Sequence, residues 1–270
     1  MANMYDNMHN LRLWDDLARR PNAINSLHPL AKLLTTGVYL IVVVSFDRYE
    51  ISSLLPLIFY PVFICAWAEL PMKEVLKRIA WAMPFVIGIG IFNPLFDKQI
   101  IEFMGITISR GWLTFLSIVI KCVLTVAAGV LLMATTGMER LGMALRMIRV
   151  PRVFVLQLLL TYRYISLLMG ELARMLRAYA LRSPEQKGIK AGAWGPFAGS
   201  LLLRSFDRAQ RVYAAMCLRG FAGEYHTGAM AGWSIRDTGF LAGWSAFFLM
   251  ARCYDLPLLL GSLLTGVLPI

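Results

Sequence analysis

Apolar residues are gathered in the first half of this chain into four blocks separated by short charged segments. The blocks span residues 30–46, 51–70, 79–96 and 112–135. Each is close to the roughly 20 residues that a helix needs to cross a hydrocarbon core. We therefore predict four transmembrane helices in this half of the chain.

Two of these blocks contain residues that disturb a regular helix. Pro56 and Pro61 predict a kink in the second, which a membrane tolerates because neighbouring helices satisfy the freed carbonyl groups. Two prolines and two glycines in the third favour a broken or closely packed helix. They are Pro84, Gly88, Gly90 and Pro94. The mixed stretch 97–110 is expected to be an outer loop with an extended or partly inserted piece.

The second half of the chain is patterned differently. Residues 137–237 contain no comparable block, although apolar residues recur there at helical spacing. An apolar run resumes at 238–250, is interrupted by Arg252 and Asp255, and continues at 256–270. The end is expected to be one long tilted span, or one span followed by a short re-entrant tail.

These patterns predict an all-α polytopic membrane protein with five or six transmembrane helices and two long amphipathic cytoplasmic helices. Three parts follow along the chain. Residues 1–135 hold an N-terminal tail and four transmembrane helices, residues 136–237 form a cytoplasmic region, and residues 238–270 form a C-terminal transmembrane segment.

Composition and charge support insertion in a membrane. Of the 270 residues, 58% are hydrophobic and 16% are charged, against about 25% charged in an ordinary soluble domain. The net charge is +11, and residues 137–220 contribute +10 of it, with fourteen Lys or Arg against four acids. Because basic residues collect in the cytoplasmic loops of membrane proteins, this charge does not call for a nucleic-acid partner.

The positive charge also sets the predicted orientation. With 137–237 in the cytoplasm, alternation places the loop that holds Lys73, Lys77 and Arg78 inside, together with the N-terminus. We predict a multi-pass protein of the bacterial cytoplasmic (inner) membrane with a cytoplasmic N-terminus. The first 29 residues contain no apolar run, so a cleaved signal peptide is not expected.

A long amphipathic helix is predicted at 153–182. Arg163, Arg174 and Arg177 return to nearly the same side of this helix. It ends at Arg182, because a proline follows two residues later and stops a helix or starts a turn.

A second helix is predicted at about 196–218, with Pro196 in its first turn and Gly220 as its C-terminal cap. Its basic stripe repeats at helical spacing in Arg204, Arg208 and Arg211, and Arg219 returns to the same side. Asp207 is its single acid and can pair with Arg204 or Arg211 one turn away.

Two interpretations of these arginines stay open. Each can be topogenic charge that lies against anionic lipid headgroups. Alternatively, Arg182 and Arg219 can insert into a partner's groove and form bidentate pairs with buried carboxylates, which lysine cannot copy. Lipid attraction alone does not require arginines at matched helix ends.

A set of short stretches along the chain forms a family pattern: 162–164, 171–182, 203–213 and 216–223, with the shorter stretches 27–33 and 93–96. In these stretches the sequence resembles the transmembrane (T) component of energy-coupling factor importers, and the cobalt/nickel branch, CbiQ, in particular. The resemblance covers most of the chain.

In that family two cytoplasmic coupling helices each end in a short Ala-Arg-Gly-like motif whose arginine docks into an ATPase subunit. The positions that match here are Ala180, Arg182 and Ser183 in the first helix, and Leu218, Arg219 and Gly220 in the second. The first motif has Leu181 between Ala and Arg and lacks the Gly, and the second has Leu in place of Ala.

The resemblance implies a scaffold that passes motion from ATP-binding cassette ATPase subunits to a separate substrate-binding membrane (S) subunit, importing Co²⁺ or Ni²⁺. It implies no catalytic residue, cofactor or metal site on this chain.

The alternative functions for this chain are a T component that serves a vitamin importer, a lipid-binding membrane enzyme, and a lone channel or secondary transporter. No cluster of intramembrane acids supports the enzyme, and no internal repeats support the transporter.

The residues themselves agree with that division of labour. The sequence contains no G-x-x-x-x-G-K-[ST] loop for nucleotide phosphates. His9, His28 and His226 lie far apart, and the four cysteines are equally scattered, so no metal site is expected. His28 is expected to start a helix, and Lys121, in mid-span, to face other helices or to snorkel.

Overall fold

The computed structural model describes residues 17–18, 20, 22–47, 51–92, 94, 100–103, 106–182, 190–223 and 232–254. Within these residues the fold is built from eight α-helices: α1 Pro29–Ser45, α2 Phe59–Trp67, α3 Met72–Gly90, α4 Arg110–Thr136, α5 Met138–Met147, α6 Arg152–Arg182, α7 Trp194–Leu218 and α8 Ile235–Cys253. Two 3-10 helices, Ser52–Ile58 and Ala191–Ala193, precede α2 and α7. Two short antiparallel strands, β1 Ile100–Phe103 and β2 Ile106–Ser109, pair Ile100 with Ser109.

The chain divides into two compact units. One comprises residues 17–137 and 230–270 and contains α1 to α4, the strand pair and α8. The other comprises residues 1–16 and 138–229 and contains α5, α6 and α7. We call them the α1–α4/α8 unit and the α5–α7 unit.

The predicted apolar blocks correspond to helices with some changes of type. Helices α1 and α4 agree with the first and fourth blocks to within two residues at each end. In the second block Pro56 lies inside a 3-10 helix, and the α-helical part begins only at Phe59. The proline therefore changes the helix type, as expected where it removes a backbone donor.

Residues 79–90 of the third block form the C-terminal part of a continuous helix, α3, with Pro84 inside it. The prediction of a loop at Lys73, Lys77 and Arg78 is wrong, because these residues lie in the N-terminal part of the same helix. A side chain at Gly90 would meet Phe115 of α4 at 2.7 Å, whereas Gly88 has no such neighbour within 4 Å. The third block was expected to form either a broken or a closely packed helix. Within α3 the structure shows close packing. Small residues allow helix backbones to approach in this way.

Aromatic side chains fill the centre of the α1–α4/α8 unit. Tyr39 and Phe248 are fully buried, and their rings lie 5.1 Å apart. Tyr60 packs against Tyr39 at 4.7 Å and against Trp244 at 5.0 Å. The buried hydroxyl of Tyr39 donates to the Leu57 carbonyl at 3.1 Å, so this polar atom is satisfied as a buried group must be. This core joins α1, α2 and α8.

Two cations stabilise the C-terminal end of α1. Lys121 Nζ donates to the carbonyl of Phe46 at 2.6 Å and to that of Asp47 at 3.4 Å. Arg252 of α8 donates to the Ser45 carbonyl at 3.3 Å and lies 4.9 Å from the centre of the Phe46 ring. Cations are favourable where a helix exposes its last carbonyl groups. Of the two expectations for Lys121, a position facing other helices is therefore the one that the structure shows.

Within the described residues, two helices are long and apolar enough to cross a membrane, α4 and α6. Helix α1 and the segment 52–67 are apolar but shorter. The predicted total of five or six spans stays a prediction, and the stretch 256–270 lies outside the described residues. Helix α6 differs from the sequence-based expectation. No apolar block long enough to cross a membrane was predicted in residues 137–237, yet α6 is long and apolar enough to do so.

Candidate functional site

Helix α6 carries the first predicted motif at its C-terminal end. It has 31 residues, which makes it about 46 Å long. Arg182 is its last residue and is exposed, and Leu181 beside it is 83% exposed. Ala180 is half-buried, and Ser183 lies outside the described residues. This helix end thus presents a cation and an apolar side chain that the described residues do not cover.

The second predicted motif follows a well-formed helix end. Gly220 has a positive φ of 78°, its N–H donates to the Cys217 carbonyl, and the N–H of Phe221 donates to the Met216 carbonyl. These two bonds define a Schellman cap. The predicted capping role of Gly220 is confirmed. Arg219 is exposed, and the preceding Leu218 is 89% exposed.

A cluster of charges joins the two long helices. Glu171 of α6 accepts a hydrogen bond from Arg174 on its own helix and one from Arg204 of α7 at 2.7 Å. Arg208 of α7 lies 3.7 Å from the same carboxylate. The Glu171 side chain is only 12% exposed, although its partners are more open to solvent. We call these four residues the Glu171 cluster.

The Glu171 cluster changes the predicted pairing. Arg204 bonds to Glu171 on the other helix, and Asp207 makes no salt bridge within the part of the chain that the structure describes. Sequence reasoning missed Glu171, although it is the single acid of helix α6 and lies three residues before Arg174. Hydrogen bonds from Arg174 and Arg204 hold the pKa of the Glu171 carboxyl below its usual range.

The other predicted basic residues lie apart from this carboxylate. Arg177 is exposed and is not a partner of Glu171. Arg211 lines an open groove of about 450 Å³ in the α5–α7 unit. The groove is otherwise lined by Tyr164, Leu167, Arg208, Val212 and Ala215. The structure therefore gathers Arg174, Arg204 and Arg208 at one point and leaves Arg177 and Arg211 outside it.

Helices α6 and α7 bury very little of themselves. Only Val155 and Ala173 are buried in α6, and no described residue of α7 is. Large apolar side chains are exposed on both helices, including Phe154, Leu202, Leu203, Phe206 and Tyr213. Exposed apolar surface on this scale is typical of a region that contacts another protein or a membrane.

Packing within the α5–α7 unit is close at one point. A side chain at Gly142 of α5 would meet the Leu159 side chain of α6 at 2.8 Å. This close approach fixes α5 against the N-terminal half of α6, and it leaves the C-terminal half of α6 for contact with α7 through the Glu171 cluster.

The residues that could hold a metal are dispersed. Among the described residues no three of His, Cys, Asp and Glu lie together as a metal would require. His28 accepts a hydrogen bond from the Leu30 N–H and caps α1, as predicted. His9 and His226 lie outside the described residues. Cys65, Cys122, Cys217 and Cys253 are all free thiols.

The chain is similar to known proteins of one family. A family model described as "Cobalt transport protein", CbiQ, matches residues 21–228 of the chain. The chain is also similar to "Uncharacterized protein MJ1571" of Methanocaldococcus jannaschii, with 25% identity over 186 residues. That similarity covers 64% of this chain and 63% of the relative, so the chain spans about 63% of the curated relative that it matches.

Proposed function

This chain belongs to the CbiQ family of cobalt transport proteins, and we propose on that premise that it is the coupling subunit of an energy-coupling factor importer. It is a membrane component of cobalt transport. In the proposed role it hydrolyses nothing itself and passes motion from ATP-binding cassette ATPase subunits to a separate substrate-binding membrane (S) subunit.

The observation that carries the proposal is the pair of exposed arginines at matched helix ends. Arg182 ends α6, and Arg219 forms the C-cap of α7. Each follows a leucine that is more than four-fifths exposed, 83% for Leu181 and 89% for Leu218. An apolar anchor beside a guanidinium is suited to a partner's groove that contains a carboxylate, because such a pair combines desolvated contact with bidentate hydrogen bonding.

The proposed topology puts both long helices at the cytoplasmic face. Helix α6 is apolar enough to cross a membrane, but its C-terminal twelve residues include Glu171, Arg174, Arg177 and Arg182. A segment with that many charges is costly in hydrocarbon and favourable at an interface that holds anionic lipid. We place the N-terminus on the same side and retain five or six spans in total.

The identity of the transported substrate rests on the family match alone, whereas the coupling role is also supported by the helix ends. The family match favours Co²⁺, with Ni²⁺ as the related alternative, and selectivity would lie in the S subunit. A T component of a vitamin importer would use the same helix ends. Uptake of Co²⁺, Ni²⁺ and a vitamin by cells that express this chain with its neighbouring transport genes distinguishes these alternatives.

The test of docking replaces both helix-end arginines by glutamate. We call the helix ends at Arg182 and Arg219 the two tips. In Arg182→Glu/Arg219→Glu the charge at each tip is reversed, so a carboxylate in the partner's groove would repel it. We expect the chain to insert into the membrane at the parent level and to lose the ATPase during gentle detergent purification. Immunoblots of membranes and of the purified complex measure both quantities.

A matched control carries the same change of charge elsewhere. Arg149 and Arg236 are exposed and do not end α6 or α7. The double variant Arg149→Glu/Arg236→Glu is expected to retain the ATPase. Docking through the two tips is refuted if the tip variant co-purifies with as much ATPase as this control does.

A further inference from the structure

A short segment before and within α1 holds the ends of three other parts of the α1–α4/α8 unit. Asn22 Nδ2 donates to the Ala68 carbonyl at 3.0 Å, where α2 has just ended. The two remaining attachments, through Lys32 and through the backbone of His28, are buried and bridge residues that are 103 and 209 positions apart. The segment thus gathers sites that are distant in the chain.

Lys32 is attached to the end of α4. Its side chain is 3% exposed, and Nζ donates to the Thr135 carbonyl at 2.9 Å and to the Asn25 carbonyl at 3.4 Å. Helix α4 ends at Thr136, and Gly137 follows with a positive φ of 74°. A cation is favourable at this position because the last carbonyls of a helix carry partial negative charge. The next residue, Met138, begins the second stretch of the α5–α7 unit.

Asp237 attaches the same segment to the start of α8. Its carboxylate is 3% exposed and accepts the backbone N–H of His28 at 2.7 Å on Oδ1 and that of Ser234 at 2.8 Å on Oδ2. Ser234 and Asp237 form a capping box, so helix start and carboxylate stabilise each other. Trp233 packs against the His28 ring at 5.1 Å. Here the chain has returned from the α5–α7 unit.

Of the three covalent connections between the two units, the one that follows α4 and the one that precedes α8 are therefore held by residues of one segment. We propose that Lys32 and Asp237 are positioning residues that anchor these two connections to α1, so that a displacement of the α5–α7 unit is passed on to the α1–α4/α8 unit. This inference rests on the proposed coupling function. We call the set Lys32, Thr135, His28 and Asp237 the connection anchor.

A purely structural role explains these residues less well. Burying a charged group costs free energy that its hydrogen bonds only partly return, and apolar side chains of the same volume often stabilise such a site equally well. The directional bonds of Lys32 to two carbonyls and of Asp237 to two N–H groups instead specify a position. Such anchors are suited to two connecting segments that must keep their positions in the α1–α4/α8 unit while the α5–α7 unit moves.

The experiment uses the full complex with its ATPase and S subunit. Lys32→Met keeps the length of the side chain and removes its three donors. Asp237→Asn keeps the shape, removes the charge and replaces one of the two acceptor oxygens by an amide donor. The matched control is Lys77→Met, which removes an exposed lysine of α3 from the predicted cytoplasmic side. Three quantities are measured in each: hydrogen exchange at the ends of α4 and α8, ATP hydrolysis, and uptake of Co²⁺.

We expect Lys32→Met to raise the exchange rate of amides in the last turn of α4 by about tenfold, since a charged hydrogen bond on that turn is lost. Asp237→Asn does the same at the first turn of α8. In both variants the ATPase stays bound and hydrolyses ATP at the parent rate, whereas Co²⁺ uptake falls by about tenfold. Lys77→Met leaves all three quantities unchanged.

Three results overturn the proposal. Unchanged exchange in Lys32→Met shows that the anchor does not hold α4. Faster exchange with normal uptake shows that it does not transmit motion, and uptake that is lost together with ATPase binding shows a role in folding alone. If the parent complex retains no ATPase, the proposed function fails instead, and the exchange rates still decide whether the anchor holds the two helix ends.

Discussion

At the scale of single residues, the position of Arg219 depends on the glycine that follows it. The Schellman cap ends α7 abruptly, and Arg219 then occupies the cap rather than a regular turn. Gly220 adopts a left-handed conformation, and a side chain there would meet no atom of the described residues within 4 Å. A substitution at Gly220 therefore changes backbone strain without creating a clash.

Gly220→Ala is expected to loosen the tip of α7. An L-residue other than glycine pays about 1 kcal/mol or more in the left-handed region, which corresponds to roughly fivefold more opening of the last helical turn. Less ATPase should then co-purify. Hydrogen exchange of the amides at 216–221 and the amount of bound ATPase measure the two effects.

Gly220→Asn is the control for that variant, because asparagine tolerates the left-handed conformation better than alanine does. It adds a larger side chain at lower strain. If the two variants lose equal amounts of ATPase, side-chain size matters at this position and the backbone explanation is wrong.

At the scale of secondary-structure elements, the Glu171 cluster is the main polar link between α6 and α7. One carboxylate accepts donors from both helices, so its ionisation decides whether the link exists. The pKa of the Glu171 carboxyl is lowered from 4.5 by the hydrogen bonds of Arg174 and Arg204. A lowered pKa in the folded state means that the link is complete above 4.5 and is lost as the pH falls through the lowered value.

The distance between α6 and α7 should therefore be constant from about pH 8 to about pH 5 and should become more variable in more acidic solution. Spin labels at the exposed positions 178 and 198, in a background without other cysteines, report the distance distribution. Glu171→Gln is expected to show a broad distribution at every pH, because the neutral amide does not replace the charged partner of two arginines.

Asp207→Asn is the matched control at this scale. It removes one negative charge from an exposed position of α7 that makes no salt bridge within the described residues. Its distance distribution should follow that of the parent at each pH. If the parent distribution broadens already at neutral pH, the Glu171 cluster does not hold the helices together.

At the scale of the whole molecule, the proposed role separates energy supply, substrate selection and coupling among different subunits. The described residues offer no group of metal ligands, and the sequence has no phosphate-binding loop. Most of the positive charge lies in the region that the proposal assigns to the ATPase and to the membrane surface.

The purified chain alone is therefore expected to bind Co²⁺ weakly and without saturation. Imidazole and carboxylate donors, which this ion prefers, are dispersed among the described residues. Equilibrium dialysis against Co²⁺, with the assembled complex as the comparison, measures the difference. Saturable binding of one ion per chain would show that this subunit takes part in substrate selection.

The helices and their ends could largely be predicted, whereas the contacts between them could not. Arg152–Arg182 and Trp194–Leu218 agree with the predicted helices to within two residues, since proline, glycine and helical spacing act locally. Asp207 was predicted to pair with Arg204 or Arg211 on the same helix, whereas Arg204 is found with Glu171, 33 residues away. Local spacing cannot choose between a neighbour in the same helix and one on another helix.

Composition and residue spacing were enough to predict that this chain enters a membrane, that most of its positive charge lies in one segment, and that two long helices end in arginine. These properties follow from composition and from periods of a few residues, which are encoded locally. The packing of the folded chain brings Lys121 and Arg252 to the end of α1, and it lets Lys32 and Asp237 hold two of the three connections to the α5–α7 unit. These hydrogen bonds join residues that are 75 to 209 positions apart, so they depend on how helices pack, and packing is a property of the whole folded chain.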